Sequence, residues 1–294
     1  MSVFFTRLAF AGLWLLHGLP LPVLAFLGNG LGSLLYILVG RRRKVVLTNL
    51  RLCFPKKSEA ERVALAKAHF RVLTRSFLER SLLWWAPESR LRRLIHLKGE
   101  EHIIRLKAEG RPILLFSPHF VGFEVGGCRL SMEHEMGAVY LKQKNPVVDE
   151  VVLNGRARFR APTMLAKQEG VRGMLRLLRS GRPMYFPGDL DHGSKDAVFV
   201  PFFGIQAATI TSLSRLSKMS GAAVLPLSTE ILPGGQGYLA CVGAPWENFP
   251  SDDVAADTRR VNAWLESAIL KMPEQYYWVH RRFKTRPEGE APVY

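Results

Sequence analysis

From Leu8 to Gly40 the chain carries no Asp, Glu, Lys or Arg, and then Arg41-Arg42-Arg43-Lys44 arrives at once. An apolar stretch of that length exceeds the roughly 20 residues a helix needs to cross a bilayer. Pro20 and Pro22 break its first half, and Gly28-Asn29-Gly30 sets off Leu31–Val39, which alone is too short to span. A kinked span, a re-entrant hairpin and a helix lying in the interface all stay open, with a membrane-inserted anchor favoured on hydropathy. The length of the stretch and the lack of a small-x-small site before the basic cluster argue against a cleaved signal peptide. Four cations after the segment, against Arg7 before it, put the following body on the cytoplasmic side.

Beyond the basic cluster, Ser58-Glu59-Ala60-Glu61 reads as a capping box. It opens an amphipathic, basic helix that carries Val63, Phe70, Leu73, Phe77 and Leu78 and ends near Trp84-Trp85-Ala86-Pro87. From about Glu100 helix and strand patterns alternate. Helices are predicted over Glu101–Glu109, just after Ser117-Pro118-His119, near Pro146–Phe159, Gly170–Ser180, Ser212–Met219 and Asp252–Leu270. Strands are predicted at Pro112–Ser117, Gly137–Leu141, Pro183–Pro187, Ala222–Leu227 and Tyr238–Val242. Short, continuously apolar strands between helices imply an α/β fold: a central sheet with helices on both faces, behind an N-terminal membrane-anchoring helix. No repeat or linker divides the rest, so the simplest organisation is an anchor with its basic flank (1–44) and one catalytic domain (45–294).

Charge narrows the choice of partner. With 41 Lys+Arg against 25 Asp+Glu, the net charge is +16 and the pI near 10.2. Such an excess calls for a polyanion. Zinc-ligand pairs and an aromatic RNP stretch are missing, so the anionic lipids of a membrane surface are expected rather than nucleic acid. The three cysteines, Cys53, Cys128 and Cys241, are odd in number and widely spaced. They support neither a disulfide framework nor a metal cluster, and suit a reducing compartment.

The chemistry centres on Ser117-Pro118-His119-Phe120-Val121-Gly122-Phe123-Glu124, directly after the apolar run Ile113–Phe116. A strand ending in Ser-Pro-His can present the imidazole at the mouth of a cleft, and a nearby carboxylate can hold one ring nitrogen. On a regular helix a spacing of five puts two side chains about 140° apart. His119 must therefore precede the helix, with Glu124 in its first turn and Pro118 setting an extended lead-in. Metal binding would prefer a three- or four-residue spacing and further ligands, so no metal is expected. The cationic stretch Lys142, Lys144, Arg156, Arg158 and Arg160 suits either a developing oxyanion and substrate phosphates or a plain solvated face. Asp189 follows the strand Met184–Phe186, where sites collect in α/β sheets, and is read as a positioning residue; Asp191-His192 reads as a turn. Val198–Gly204 either lines an acyl groove, with Gly204 allowing close backbone approach, or packs the core. Arg281, with Arg282, Lys284 and Arg286, suits an anionic substrate or an acidic protein.

Ser117-Pro118-His119 through Glu124 resembles the His-x4-Asp/Glu motif of glycerolipid-type acyltransferases. The run from Pro273-Glu274-Gln275-Tyr276-Tyr277-Trp278-Val279-His280-Arg281-Arg282-Phe283 to Gly289 is narrower and resembles the late acyltransferases of lipid A biosynthesis, the lauroyl/myristoyl transferases of Gram-negative inner membranes. Asn145-Pro146, Asp189-Leu190-Asp191-His192-Gly193 and Val198–Gly204 follow in the same order, so the likeness covers nearly the whole chain. Leu190 departs from it, since family members often carry glutamine there. The resemblance implies a glycerolipid acyltransferase-like fold in the inner membrane, with the catalytic domain on the cytoplasmic side. It implies transfer from an acyl carrier protein thioester to a 3-hydroxyacyl hydroxyl of a Kdo-bearing lipid A precursor, without cofactor. His119 becomes the general base and Glu124 its orienter, with Lys142, Arg158, Arg160, Asp189, Gly204 and Arg281 on the substrate side. A lysophospholipid or other glycolipid acceptor, and a non-catalytic binder of anionic lipid, are the alternatives.

Overall fold

The computed structural model describes residues 3–294. Three helices lead: α1 (Val3–Leu16), α2 (Leu21–Leu38) and α3 (Gly40–Cys53). The long α4 (Glu59–Trp85) opens on the expected capping box, with the Ser58 side chain accepting from the Glu61 backbone N–H and Glu61 reaching back to Ser58. There follow α5 (Glu88–Leu94), β1 (Ile95–Lys98), α6 (Glu100–Ala108), β2 (Ile113–Phe116), α7 (Phe123–Ser131), β3 (Gly137–Tyr140), α8 (Pro146–Arg156) and β4 (Thr163–Ala166). The chain continues through α9 (Gly170–Arg179), β5 (Met184–Phe186), β6 (Ala197–Phe202), β7 (Ile205–Ile210), α10 (Ser212–Ser220), β8 (Ala223–Ile231), β9 (Tyr238–Val242) and α11 (Val254–Lys271).

Seven strands form one mixed sheet in the order β1-β9-β8-β2-β5-β3-β4, parallel throughout except where β8 meets β9. Alternation along β2 builds both layers. Leu114 and Phe116 point to one face, packing with Leu177 and Leu178 of α9, Leu213 of α10 and Val261 of α11. Ile113 and Leu115 point to the other, with Ile103 and Leu106 of α6 and Leu130 of α7. Burial on both faces explains the uninterrupted apolar strands. The expected α/β architecture with helices on both faces is the one observed.

Of the two readings of Val198–Gly204, acyl groove or core packing, the structure shows the second at Phe202. β6 and β7 form a separate antiparallel hairpin closed by Phe203 (φ 50°) and Gly204 (φ 80°). A two-residue loop with both φ values positive is the turn that matches strand twist, and glycine adopts it without steric cost. Gly204 therefore serves the turn, and Phe202 packs in the core with Phe283 and Tyr276.

The N-terminal helices pack onto the body, and the division expected after residue 44 falls inside α3. α2 is long and apolar enough to cross a membrane, about 27 Å for its 18 residues. One of its faces is docked on α4, where Gly28 and Gly32 let the two backbones approach. A Cβ on Gly32 would stand 2.5 Å from Arg71 Cα and from the Phe70 carbonyl oxygen, neither of which can swing away. The opposite face leaves Phe26, Leu34, Ile37 and Leu38 exposed. Gly32→Val is expected to push α2 off α4, costing about 1–3 kcal/mol, the usual range for overpacking. A thermal melt in detergent checks this, with Gly30→Ala, which has open space around its Cβ position, as the neutral control.

Candidate active site

β2 and β5 pair in parallel, with Phe116 opposite Phe186. His119 and Asp189 each lie three residues beyond that register pair, so the two loops deliver them side by side at the C-terminal edge of the sheet. The Asp189 carboxylate, fully buried, accepts from His119 Nδ1 at 2.7 Å. It also accepts from the His119 backbone N–H, at 3.0 Å to one oxygen and 3.1 Å to the other. Burial pushes the Asp189 carboxyl up, but the His119 imidazole, its hydrogen bonds and the Arg282 charge outweigh this and hold it below the ordinary value. An ionised acceptor on Nδ1 puts the ring proton there and leaves the Nε2 lone pair toward solvent and substrate. Nε2 makes no hydrogen bond among the described residues, and the side chain stays 20% exposed.

Glu124 sits in the first turn of α7, where the spacing argument put it. It makes no hydrogen bond to the imidazole, contrary to the orienting contact expected of it. Its two oxygens are taken by Arg156 of α8, through Nε at 3.1 Å and through Nη2. Burial raises the Glu124 carboxyl, while Arg156, Arg80 and His119 more than offset this and hold it low. The carboxylate bonded to Nδ1 is Asp189 instead, because β5 lies next to β2 and carries an acid at the same height.

The remaining expected positions divide by where the fold puts them. Arg158 caps the end of α4, donating to the Leu83 carbonyl at 2.6 Å and the Ala86 carbonyl at 2.7 Å. Arg160 donates to the Met132 carbonyl at 2.9 Å, tying its loop to the end of α7. Neither lines the cavity beside His119. Lys142 is exposed between Leu141 and Gln143, which do line it, so it stands at the rim. Arg281 is exposed, with its guanidinium 5.7 Å from the Tyr294 ring centroid. Its neighbour Arg282 is the buried one, bonded to the Ala208 carbonyl at 2.8 Å and Thr209 Oγ1 at 2.7 Å. Asp191 forms the expected turn, accepting from the Gly193 backbone, and also binds the Thr285 backbone and hydroxyl.

Three groups at the site escaped the sequence reading. Arg156 was one cation among five until α8 aimed it at Glu124. Arg80, on α4, carries no hydrogen bond or ion pair among the described residues and lies close enough to Glu124 and Arg156 to sense their charges. The C-terminal run acts as a strap. Val121 N–H donates to the Gln275 carbonyl at 2.8 Å and Tyr277 N–H to the His119 carbonyl at 3.0 Å, clamping the histidine loop from both sides. The Gln275 side chain in turn pairs with both backbone groups of Ile231, at 2.8 and 3.0 Å, as an extra strand would.

From His119 and Glu124 a cavity of about 270 Å³ runs between α4, α7, α8 and the β3–β4 edge. Its wall is mostly apolar, with Leu83, Trp84, Cys128, Met136, Val139 and Met164. Burial drives the Cys128 thiol up to about 12, so it stays protonated and unreactive at neutral pH. A histidine with an unbonded ring nitrogen at one end of an apolar cavity has the makings of a proton-transfer site for a substrate with a hydrophobic chain.

That class agrees with the relatives of the chain. The family model for bacterial lipid A biosynthesis acyltransferases matches residues 1–285. The lipid A biosynthesis lauroyltransferase of Escherichia coli K12 is 38% identical over 98% of this chain and 94% of its own length. The palmitoleoyltransferase of the same strain is 34% identical over 96% and 92%, and its myristoyltransferase 30% over 93% and 83%. The chain belongs to the bacterial lipid A biosynthesis acyltransferase family. It is accordingly an acyltransferase of lipid A biosynthesis, and its apolar α2 suggests association with a membrane.

Proposed function

We propose that this enzyme transfers a fatty acyl chain from an acyl carrier protein thioester to the hydroxyl of a 3-hydroxyacyl chain on a Kdo-bearing lipid A precursor, at the cytoplasmic face of the inner membrane. The observation that carries this reading is His119, anchored through Nδ1 to an ionised Asp189 with Nε2 free at the mouth of an apolar cavity.

The incoming chain lies in that cavity, with its thioester carbonyl near His119. Nε2 takes the proton of the lipid hydroxyl as its oxygen attacks the carbonyl carbon; a positioned imidazole contributes about 10²–10⁴-fold to such a step. The tetrahedral intermediate bears an oxyanion. Arg156, with Nε and Nη2 committed to Glu124 and Nη1 unpaired among the described residues, supplies the opposing charge. Collapse breaks the C–S bond, and the leaving thiolate recovers the proton from the imidazolium. The ester, the free thiol and neutral His119 remain. Asp189 stays ionised throughout and holds the ring in one tautomer. The exposed cations Arg281 and Lys284 suit an acidic carrier protein, and Arg41, Arg42 and Lys44 suit anionic lipid headgroups.

No acyl-enzyme is required. Cys128, the thiol in the cavity wall, is held protonated by burial, and Ser117 Oγ is spent on Tyr185 Oη at 2.6 Å. Cys128→Ala is expected to keep turnover within about threefold, where loss of a true nucleophile costs several orders of magnitude. To test the function itself, purified enzyme is given acyl carrier protein thioesters with either a Kdo-bearing lipid A precursor or a lysophospholipid. Mass spectrometry should find acylated product with the first acceptor. Product only with the second would overturn the proposed acceptor.

A further inference from the structure

A second cavity, of about 380 Å³, lies on the other side of the histidine loop, between α2, α3, α4 and the strap residues Tyr277 and Val279. Its lining is apolar, with Leu35 and Val39 facing Phe70, Leu73 and Leu78. Polar groups in the wall are few, and two of them are engaged. Thr74 Oγ1 donates to the Phe70 carbonyl at 2.8 Å, and Arg42 Nη1 to the Val279 carbonyl at 3.3 Å. Nothing in such a groove recognises a sugar or a peptide, whereas a hydrocarbon chain needs only the apolar surface.

Two further observations say where that chain comes from. Leu31 and Phe77 belong to the groove and yet are 41% and 45% exposed, so its mouth is continuous with the outward apolar face of α2 formed by Leu34 and Leu38. A chain in a bilayer alongside α2 would slide in without crossing water. Arg42 lines the groove and is exposed, with exposed Arg41 and Lys44 beside it in sequence, matching a lipid whose head is anionic. The inner end reaches the chemistry through Tyr277, whose ring centroid is 6.4 Å from that of His119. Arg80 lies beside the groove residue Phe77, its guanidinium 4.6 Å from that ring centroid, and it makes no hydrogen bond or ion pair among the described residues. The reaction joins two acyl chains, and His119 lines one cavity while its ring neighbour Tyr277 lines the other.

We propose that the groove between α2, α4 and Tyr277 seats an acyl chain of the anionic membrane lipid that accepts the transferred group, while the cavity behind His119 holds only the incoming chain. This rests on the direct-transfer reading above and specifies its acceptor side. Both substrates are then sorted by their route: the acceptor enters from the membrane face of α2, and the donor from the aqueous side of the sheet. Arg80 faces the acceptor and binds its head-proximal oxygens.

Leu35→Trp and Leu78→Trp fill the groove from opposite walls. In each, the KM for the lipid A precursor is expected to rise tenfold or more, with the KM for the acyl thioester and the preferred donor chain length unchanged. Met164→Trp, in the first cavity, should do the reverse and shorten the donor chain accepted. Unchanged acceptor KM in both groove variants, with normal transfer by the wild type, overturns this proposal alone. So does a changed donor chain length in Leu35→Trp. A wild-type enzyme that acylates no lipid A precursor overturns the functional reading and this one with it. Photo-crosslinking of the wild type with a precursor bearing a diazirine in its hydroxyacyl chain needs no variant to fold. Adducts are expected on α2, α4 or residues 277–279, and adducts confined to Cys128, Met136 and Met164 would contradict the assignment.

Discussion

Asp189→Asn should lower kcat by about 10²–10⁴-fold while leaving the KM of both substrates within a few-fold of wild type. The side chains are isosteric, and the amide oxygen can still accept from the His119 backbone N–H. What changes is the charge and the donor pattern. With its oxygen toward the ring the amide no longer supplies the anion that stabilises the imidazolium, and with NH₂ toward the ring it forces the ring proton onto Nε2, the nitrogen that has to receive the substrate's proton. A residue that merely supported the loop would lower stability and spare kcat. Initial rates and a thermal melt on the same preparation separate the two. The present geometry is contradicted by a variant that melts early and turns over normally.

The second large effect is expected at Arg156. Arg156→Ala removes the cation opposite the developing oxyanion, a loss worth about 10²–10³ in kcat for a well-placed donor. It also strands the buried Glu124 carboxylate. Breaking a fully buried pair costs about 3–5 kcal/mol; with the Arg156 side chain 28% exposed, about 2–3 kcal/mol of stability is the better expectation. Glu124→Gln should lower kcat as well, because it releases the guanidinium from its position. If Glu124 acts through Arg156, its substitution should add little in an Arg156→Ala background, and a double-mutant cycle reads that coupling directly. Were Glu124 instead to orient His119, the two losses would add.

The difference between Asp189 and Glu124 also shows what one-dimensional reading reaches. Glu124 stands next to His119 in sequence, so proximity along the chain favoured it. Asp189 comes from a loop 70 residues away. Both histidine and aspartate follow short apolar strands at the same offset, a signal present in the sequence that counts only once β2 and β5 are known to be neighbours. The central strands, the helices between them and the capped start of α4 were legible because continuous burial and helical periodicity are local properties. The β6–β7 hairpin was not, since Val198–Phe203 is apolar enough to be groove or core and only the positive φ values at residues 203 and 204 reveal the turn.

The cationic residues were least legible. Arg156, Arg158 and Arg160 look alike in sequence, yet one pairs with Glu124 and the other two cap carbonyls at helix ends. Two residues on, past the end of α8, the side chain turns from the cavity to the carbonyls that end α4, and no composition argument resolves that rotation. The C-terminal run behaves similarly. Its aromatic and basic residues invite a substrate-binding reading, whereas Gln275 and Tyr277 hold the histidine loop in place and Arg282 holds the hairpin. Arg80 was hidden inside an amphipathic stripe, because being unpaired is a property of surroundings rather than of residue type.

Rapid-quench single turnover of wild type and His119→Ala, with labelled acyl thioester and a lipid A precursor, probes the account at its base. Label should pass straight to the lipid in the wild type, with no acylated protein at any time, and at least 100-fold more slowly in a variant that folds and binds membrane normally. Wild-type transfer rates without the imidazole, or label that appears first on the protein, would contradict it.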